Sequence, residues 1–248
     1  LLKSIYSQLA DALSAWIADT VRTAGFHRVS LGLSGGIDSA VTAALCARAL
    51  GPGNVLTVFM PCGSSAADGE DASETAGALG TEFRTVDLDP VFTAMVGSFG
   101  ADAVSRLTLA NIRPRLRMAA LYALSEGRLV VGTGNYSEYL VGYSTKWGDS
   151  AADIQPLARL FKDEVRALAV ELDIPGRIVD KVPSAGLWEG QSDEGEMGVT
   201  YGEIRSYFED RPVAPQSASR IAHLHRASEH KRVPPPFFDA RGWLAANA

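Results

Sequence analysis

Val29-Ser30-Leu31-Gly32-Leu33-Ser34-Gly35-Gly36-Ile37-Asp38-Ser39 joins a short aliphatic run to two adjacent glycines and then to a segment with helical spacing. An apolar strand that ends in Ser34-Gly35-Gly36 can turn tightly with no Cβ in the way. Several N–H groups and the N-terminus of the following helix then converge on one anion. The stretch reads as a phosphate site, with Asp38 beside the bound phosphates. The plain competitor is an ordinary strand-to-helix turn, since Gly-Gly and Asp-Ser are common turn residues. The residue after Gly36 is Ile37, so this is not the lysine-bearing loop G-x-x-x-x-G-K-[ST], and the glycines at 32, 35 and 36 lack the G-x-G-x-x-G spacing.

Outward from this loop the chain alternates. Strand-like runs are expected at Arg28 to Leu33, Asn54 to Met60, Glu82 to Leu88 and Arg128 to Gly132, with helical spacing at Ser39 to Leu50, Ala66 to Leu79 and Leu109 to Ser125. Ahead of them, Ile5, Leu9, Ala12, Leu13, Trp16 and Ile17 recur as on an amphipathic helix within Leu2 to Ala24. Strand, helix, strand, helix implies right-handed crossovers and an α/β, doubly wound parallel sheet with helices on both faces, in one domain spanning 1–248. Ligands of such sheets lie beyond the carboxyl ends of the strands, where the Gly-rich loop falls. A polar, glycine-rich segment follows Gly132 and runs to Asp153, and Pro183 to Gln191 is a second stretch of turn formers; long loops of this kind usually carry a function. Helical spacing returns at Leu160 to Leu172 and Tyr201 to Phe208, and the tail from Glu229 through Pro234-Pro235-Pro236 reads as an extended surface segment. Trp16, Trp188 and Trp243 read as packing residues.

Composition narrows the class. The 248 residues include 46% hydrophobic and 21% charged side chains, and the formal charge is −6; this suits one large α/β domain and argues against a protein that grips nucleic acid. Cys46 and Cys62 form no C-x-x-C and no Cys/His set, so they read as free thiols in a reducing, cytoplasmic setting. No apolar run is long enough for a membrane span or the core of a signal peptide.

S-G-G-x-D-S resembles the pyrophosphate-binding loop of the N-type ATP pyrophosphatases, which cleave ATP between the α and β phosphates and adenylate a substrate oxygen. Further strings narrow the likeness: Asn111-Ile112-Arg113-Pro114-Arg115-Leu116-Arg117-Met118, Gly132-Thr133-Gly134-Asn135 with Glu138, Thr145-Lys146-Trp147-Gly148-Asp149 with Asp153, Lys162, Pro183-Ser184-Ala185 and Glu229-His230-Lys231. With Leu33 to Ser39 they resemble, in order and over nearly the whole chain, the ammonia-dependent NAD synthetases. The resemblance implies the Rossmann-like, adenine nucleotide alpha hydrolase-like fold. It implies a ligase reaction in which ATP adenylates nicotinic acid adenine dinucleotide, pyrophosphate leaves, and ammonia displaces AMP to give NAD.

The residue types suit that chemistry. Asp38 and Glu138 are hard oxygen ligands for Mg²⁺ bridging phosphates. Lys162 would neutralise the departing pyrophosphate, helped by the backbone of Ser34 to Ser39 and the Ser184 hydroxyl, and the resemblance assigns Gly32, Leu33, Ser34, Gly35, Gly36, Ile37, Asp38 and Ser39 to ATP binding. The family pattern places Thr133 in the ATP pocket, Arg115, Lys146 and Asp153 against the dinucleotide, and His230 and Lys231 closing over it. Arg115 suits bidentate phosphate binding, whereas Lys146 acts as a point charge. Asp149 and Asp153 are the candidate bases for taking a proton from ammonium. The bland readings are a helix-capping Asp38, solvated helix charges at Glu138 and Lys162, and a basic face of Arg113, Arg115 and Arg117.

Two positions depart from the pattern. Ser184 stands where threonine is common, and Ser144 where an aromatic is usual, so either Tyr143 or Trp147 covers the pyridine ring instead, or Ser144 merely enlarges the pocket and the ring is held by its carboxylate alone. Rival functions are a tRNA-thiolating or GMP-forming relative and a nucleotide sensor without turnover. The missing cysteine pair and the acidic charge disfavour thiolation, and the presence of Asp38, Glu138 and Lys162 disfavours a dead sensor. A symmetric homodimer is implied by the resemblance, with apolar surface expected on the first helix and on the helix from Asn111. Free ammonia is the expected donor, because glutamine hydrolysis needs a nucleophilic cysteine with its own base.

Overall fold

Parallel strands β1 (Val29–Gly32), β2 (Val55–Phe59), β3 (Glu82–Thr85) and β4 (Leu129–Val130) form a sheet in the order β3-β2-β1-β4, with Val29 facing both Val55 and Leu129 across the ladder. The computed structural model describes residues 3–100, 104–184 and 192–247. From β1 the chain winds outward to β2 and β3 and then returns to place β4 on the other side of β1. Strand order therefore reverses between β1 and β4, and a crevice opens there beyond the strand ends.

Both faces of the sheet are buried along β1, β2 and β4, which is why those strands are largely apolar on successive residues, whereas the edge strand β3 is mostly exposed. Val29, Leu31, Val55 and Leu129 pack on one side with α1 (Ile5–Thr23), α2 (Ile37–Leu50) and α8 (Lys162–Glu171). Leu56, Val58 and Val130 face the opposite way, toward α4 (Asp89–Phe99) and α6 (Ile112–Leu124), which follow α3 (Ala66–Leu79) and α5 (Arg106–Ala110) along the chain. A smaller cluster of Val141, Met197, Val199, Ile204 and Ile221 joins α7 (Tyr136–Val141), α10 (Asp193–Met197), α11 (Tyr201–Phe208) and α12 (Pro215–Ala227). Between α8 and α10 lies the single turn α9 (Gly176–Val179), and α13 (Ala240–Ala246) ends the chain.

The α/β expectation holds, and the strands form within the four expected runs. Four details differ. The helix expected over Leu109 to Ser125 is two helices that meet at Asn111; Pro114 has no N–H to give the carbonyl of residue 110, so the ladder restarts. The polar segment after Gly132 contains α7, capped by Asn135 and Glu138 in a reciprocal box and stopped by Gly142 at φ 65°. Six residues are too few to show helical periodicity. The tail is not wholly extended, since residues 229–231 form a 3-10 turn and α13 follows. Trp16 and Trp243 are exposed rather than packed, Trp16 because it lies off the buried stripe Ala10, Ser14, Ile17 and Val21. Trp188 falls outside the described residues. No helix among the described residues is long and apolar enough to cross a membrane.

Candidate active site

Ser34 to Ser39 occupy the end of β1 at the reversal point. Leu33 continues the ladder by donating its N–H to the Val58 carbonyl at 2.9 Å, and both Leu33 and Ile37 bury their side chains in the core. These two residues therefore offer only backbone to a ligand. The loop is braced from within: the Ser34 N–H donates to Ser39 Oγ at 3.1 Å, Ser39 Oγ donates to the Gly36 carbonyl at 2.9 Å, and the Gly36 N–H reaches Ser34 Oγ at 3.3 Å. Gly36 is the N-cap of α2 and brings no capping side chain. The first-turn N–H groups of that helix are left for an anion, as its dipole favours.

Three further side chains converge on Asp38. Lys162, at the start of α8, is 3% exposed and pairs with Asp38 Oδ2, while Glu138 Oε1 lies 3.6 Å from the same ammonium. Asn135 donates from Nδ2 to Asp38 Oδ1 at 3.0 Å and from its backbone N–H to Glu138 Oε2 at 3.3 Å, while its Oδ1 accepts the Glu138 N–H at 3.1 Å. One asparagine thus orients both carboxylates. Burial opposes the charge on Lys162, but Asp38 and Glu138 outweigh it and hold the ammonium up, to about 12. Burial, reinforced by the Asp38 charge, pushes the Glu138 carboxyl up against the pull of Lys162.

The Glu138 shift carries a stability consequence. A folded-state pKa above the unfolded value of 4.5 means that the native state favours protonated Glu138, so its contribution is complete below pH 4.5 and is lost as pH rises through about 8. The unliganded protein is expected to lose thermal stability across that interval, and Glu138→Gln to flatten the loss. Melting curves of the two proteins at matched pH test this; parallel slopes would remove it.

Asp38 and Glu138 are 18% and 19% exposed on their side chains and offer hard oxygens beside the Ser34 to Ser39 loop, a donor pair whose chemistry would suit a magnesium ion. Among the described residues no group of three His, Cys, Asp or Glu side chains is disposed to hold a metal.

The next layer was not legible in the sequence. Buried Tyr201 donates to Asp193 Oδ2 at 2.8 Å and lies 3.4 Å from Glu138 Oε1, with the Lys162 ammonium 5.2 Å from its ring centre. Tyr143 donates to Glu196 at 2.8 Å. Burial and the neighbouring Asp193 push both phenols above their ordinary range, with Glu138 adding to the effect at Tyr201. Burial likewise pushes the Asp193 carboxyl up. In the sequence, Asp193-Glu194-Gly195-Glu196 resembles a solvated acidic run; the fold buries Asp193, half-buries Glu196 and leaves Glu194 exposed.

The other expected contacts gather around residues 142–149. Lys231 donates to the carbonyls of Gly142 at 2.7 Å and Ser144 at 2.5 Å, Lys146 bonds to the His230 carbonyl, and Arg115 reaches the Lys146 carbonyl at 3.3 Å. Gly142 is required here, since a Cβ would lie 2.0 Å from that of Ser228. Asp149 accepts the Thr145 N–H at 2.8 Å and reaches solvent. Asp153 behaves differently: Oδ2 accepts the Val130 N–H at 2.7 Å and Oδ1 the Tyr122 hydroxyl at 3.2 Å. One oxygen thus braces β4 and the other α6. Thr133 is half-buried just past β4, and Ser184 is exposed at the end of the described segment, with Ala185 beyond it.

The model of the NAD synthase family matches residues 9–235. The chain belongs to that family. It is 42% identical over 229 residues to the NH(3)-dependent NAD(+) synthetase of Finegoldia magna, covering 92% of this chain and 94% of that one. Its fold superposes on the NMN synthetase of Francisella tularensis with a TM-score of 0.90 at 37% identity, covering 96% of this chain and all of the other. The NH3-dependent NAD synthetase of Campylobacter jejuni, solved with nitrate, superposes at 0.81 with 27% identity, covering 95% and 100%. Against this NAD synthase background the Ser-Gly-Gly loop, Asp38, Glu138 and Lys162 form one polar cluster at the reversal point of the sheet.

Proposed function

We propose that this NAD synthase is a ligase that amidates the pyridine carboxylate of nicotinic acid adenine dinucleotide with ammonia. The observation that carries the reading is the buried Lys162 ammonium held between Asp38 and Glu138 at the mouth of the phosphate loop. In the first step a carboxylate oxygen attacks the α phosphorus of ATP, and pyrophosphate departs. The N–H groups of the Ser34 to Ser39 loop and the Lys162 charge stabilise that leaving group, and the Ser184 hydroxyl is within the same segment as Lys181, which touches the loop. Asp38 and Glu138 would hold a Mg²⁺ ion, which would supply positive charge against the departing pyrophosphate. In the second step ammonia attacks the acyl carbon and the C–O bond to AMP breaks, so that an amide, AMP and a proton result. Both oxygens of Asp153 already accept hydrogen bonds, so we assign the proton to Asp149.

The test is direct. Protein, ATP, Mg²⁺, ammonium and the dinucleotide acid are combined, and NAD, AMP and pyrophosphate are quantified, with glutamine replacing ammonium in a parallel arm. Equal amounts of the three products from ammonium alone are expected; no amide would end the reading. Glutamine is expected to be inert with this chain, because Cys46 and Cys62 are both buried, and burial pushes the Cys46 thiol up to about 12.

The likeness to an NMN synthetase favours a second substrate, nicotinic acid mononucleotide, which presents the same carboxylate without the adenylate half. The chemistry at Asp38, Glu138 and Lys162 is indifferent to that half. Competition between the two acids in one assay decides which has the higher kcat/KM.

At the pyridine end, Tyr143 is committed to Glu196, whereas Trp147 is 56% exposed, adopts φ 63° and has the Lys146 ammonium 5.3 Å from its ring centre. A left-handed tryptophan is uncommon and costs of order 1–3 kcal/mol, which marks the site as held for a purpose. Trp147→Ala is expected to raise KM for the acid substrate about tenfold while leaving KM for ATP alone. Unchanged KM for the acid would exclude stacking by Trp147.

The working unit is proposed to be a symmetric homodimer. The exposed apolar side chains Val91, Met95 and Phe99 of α4 and Leu107 of α5 suit an interface better than α1, whose apolar stripe is covered by α2 and α8. Light scattering that returns 26.3 kDa from fully active protein would remove the dimer. Two buried free thiols suit a reducing compartment, and the cytoplasm is the proposed location.

A further inference from the structure

Lys181 follows α9 and, unlike Lys162, is not directed at Asp38. Its ammonium donates to the Gly35 carbonyl at 3.1 Å, to Asp68 Oδ1 at 2.8 Å and to Asp71 Oδ2 at 2.7 Å. Three acceptors use all three of its protons. The two acids are on the first turns of α3, where Asp68 also closes the reciprocal cap with Ser65. Arg177, one turn earlier in α9, pairs with Asp71 at 2.9 Å and with Glu74. Cationic residues before Ser184 are thus riveted to α3, and the phosphate loop is caught between them.

The contact reaches the loop at its most constrained point. Gly35 has φ 77°, and a Cβ there would lie 2.4 Å from the Asp68 carbonyl oxygen. The loop rests on α3 with no room to shift toward it. No peptide among the described residues is cis, so the Gly35–Gly36 unit is trans and its C=O and N–H point in opposite directions. A carbonyl drawn outward to Lys181 sends the Gly36 N–H inward, and there it lies 3.3 Å from Ser34 Oγ, at the uncapped N-terminus of α2. Were this peptide to flip, a carbonyl oxygen would face the anion in place of a donor.

We propose that Lys181 is a positioning residue for pyrophosphate: anchored by Asp68 and Asp71, it fixes the Gly35–Gly36 peptide so that the loop presents N–H groups to the β and γ phosphates of ATP. The inference rests on the reading of Ser34 to Ser39 as the phosphate loop. Asp68 and Asp71 cancel its charge locally, so its effect on the phosphates passes through the peptide. A second ammonium reaching the phosphates directly is the alternative that the experiment separates.

ATP–pyrophosphate exchange dependent on the acid substrate is measured for the parent, Lys181→Met, Lys181→Arg and Asp71→Asn, beside thermal midpoints and KM for each substrate. Absence of exchange in the parent would end the phosphate-loop reading itself, independently of Lys181. With exchange present, Lys181→Met is expected to raise KM for ATP and the inhibition constant of pyrophosphate about tenfold, with KM for the acid unchanged, as suits the loss of an aligned donor to a charged oxygen. Lys181→Arg, which can still donate to the carbonyl and both acids, is expected to recover most of that loss. Asp71→Asn loosens the anchor and is expected to weaken ATP in the same direction; tighter ATP in this variant would mean that a freed Lys181 contacts phosphate, and would overturn the proposal. So would Lys181→Met with KM for ATP within twofold of the parent, or a parallel rise in both KM values. If Lys181→Met does not fold, Asp71→Asn decides alone.

Discussion

Lys162→Met is expected to slow formation of the acyl-adenylate a hundred- to a thousandfold, about the cost of removing a preorganised charge from a developing anion. Methionine preserves the stem and most of the volume, so α8 can still dock through Val165 and Leu168. What it removes is the ammonium between Asp38 and Glu138, which is 3% exposed. Pyrophosphate would then leave toward two carboxylates without a counter-charge. Folding also suffers, because deleting one partner of a buried pair costs roughly 3–5 kcal/mol at most and the partners here, still 18% and 19% exposed, can take up a proton or water to reduce it. Arginine should not restore the rate, since its wider guanidinium has little space at so closed a position. The measurement is single-turnover AMP-ester formation beside a thermal melt. A variant that melts early yet keeps parental adenylation would reduce Lys162 to a structural ion pair.

How much of this was readable beforehand depends on the distance over which each signal acts. The aliphatic runs of β1 and β2 are local and buried on both faces, so they stand out. So does the Gly-Gly turn, because Gly35 needs φ 77°. Asp38, Glu138 and Lys162 could be nominated only through the likeness of whole strings to a family, since nothing in their own neighbourhoods separates them from capping or solvated helix charges. Their meeting at one point is a property of the β1–β4 crossover. Asn135 was visible as part of a string, but its double service to Asp38 and Glu138 needs the crevice to exist. Lys181, Asp193 and Tyr201 were not legible at all. A lysine after a single-turn helix and an acid in an acidic run look like surface, and α9 and α10, with four and five residues, are too short for periodicity to place a face. Trp16 departs from expectation for a related reason: a large apolar residue in an amphipathic helix is expected to join the buried stripe, and here it stands beside it.

Asp38→Asn separates the two readings of that residue more sharply than any truncation. If Asp38 merely supplies negative charge in the first turn of α2, its neutralisation costs about 0.3–1 kcal/mol of stability and leaves catalysis nearly intact. The geometry argues for more. Oδ1 accepts from Asn135 and Oδ2 from Lys162, so both oxygens are acceptors, and an amide can offer only one. Its NH₂ must then face either the Asn135 amide or the Lys162 ammonium, donor against donor. The substitution therefore disturbs the orientation of Lys162 as well as removing a hard oxygen ligand. Adenylation is expected to fall about a hundredfold or more, with a shift of the apparent Mg²⁺ requirement to higher concentration, while the thermal midpoint moves by only a few degrees. Titrating Mg²⁺ against ATP–pyrophosphate exchange in parent and variant reads both effects at once. Parental AMP release at parental Mg²⁺ would return Asp38 to the role of a helix-end charge.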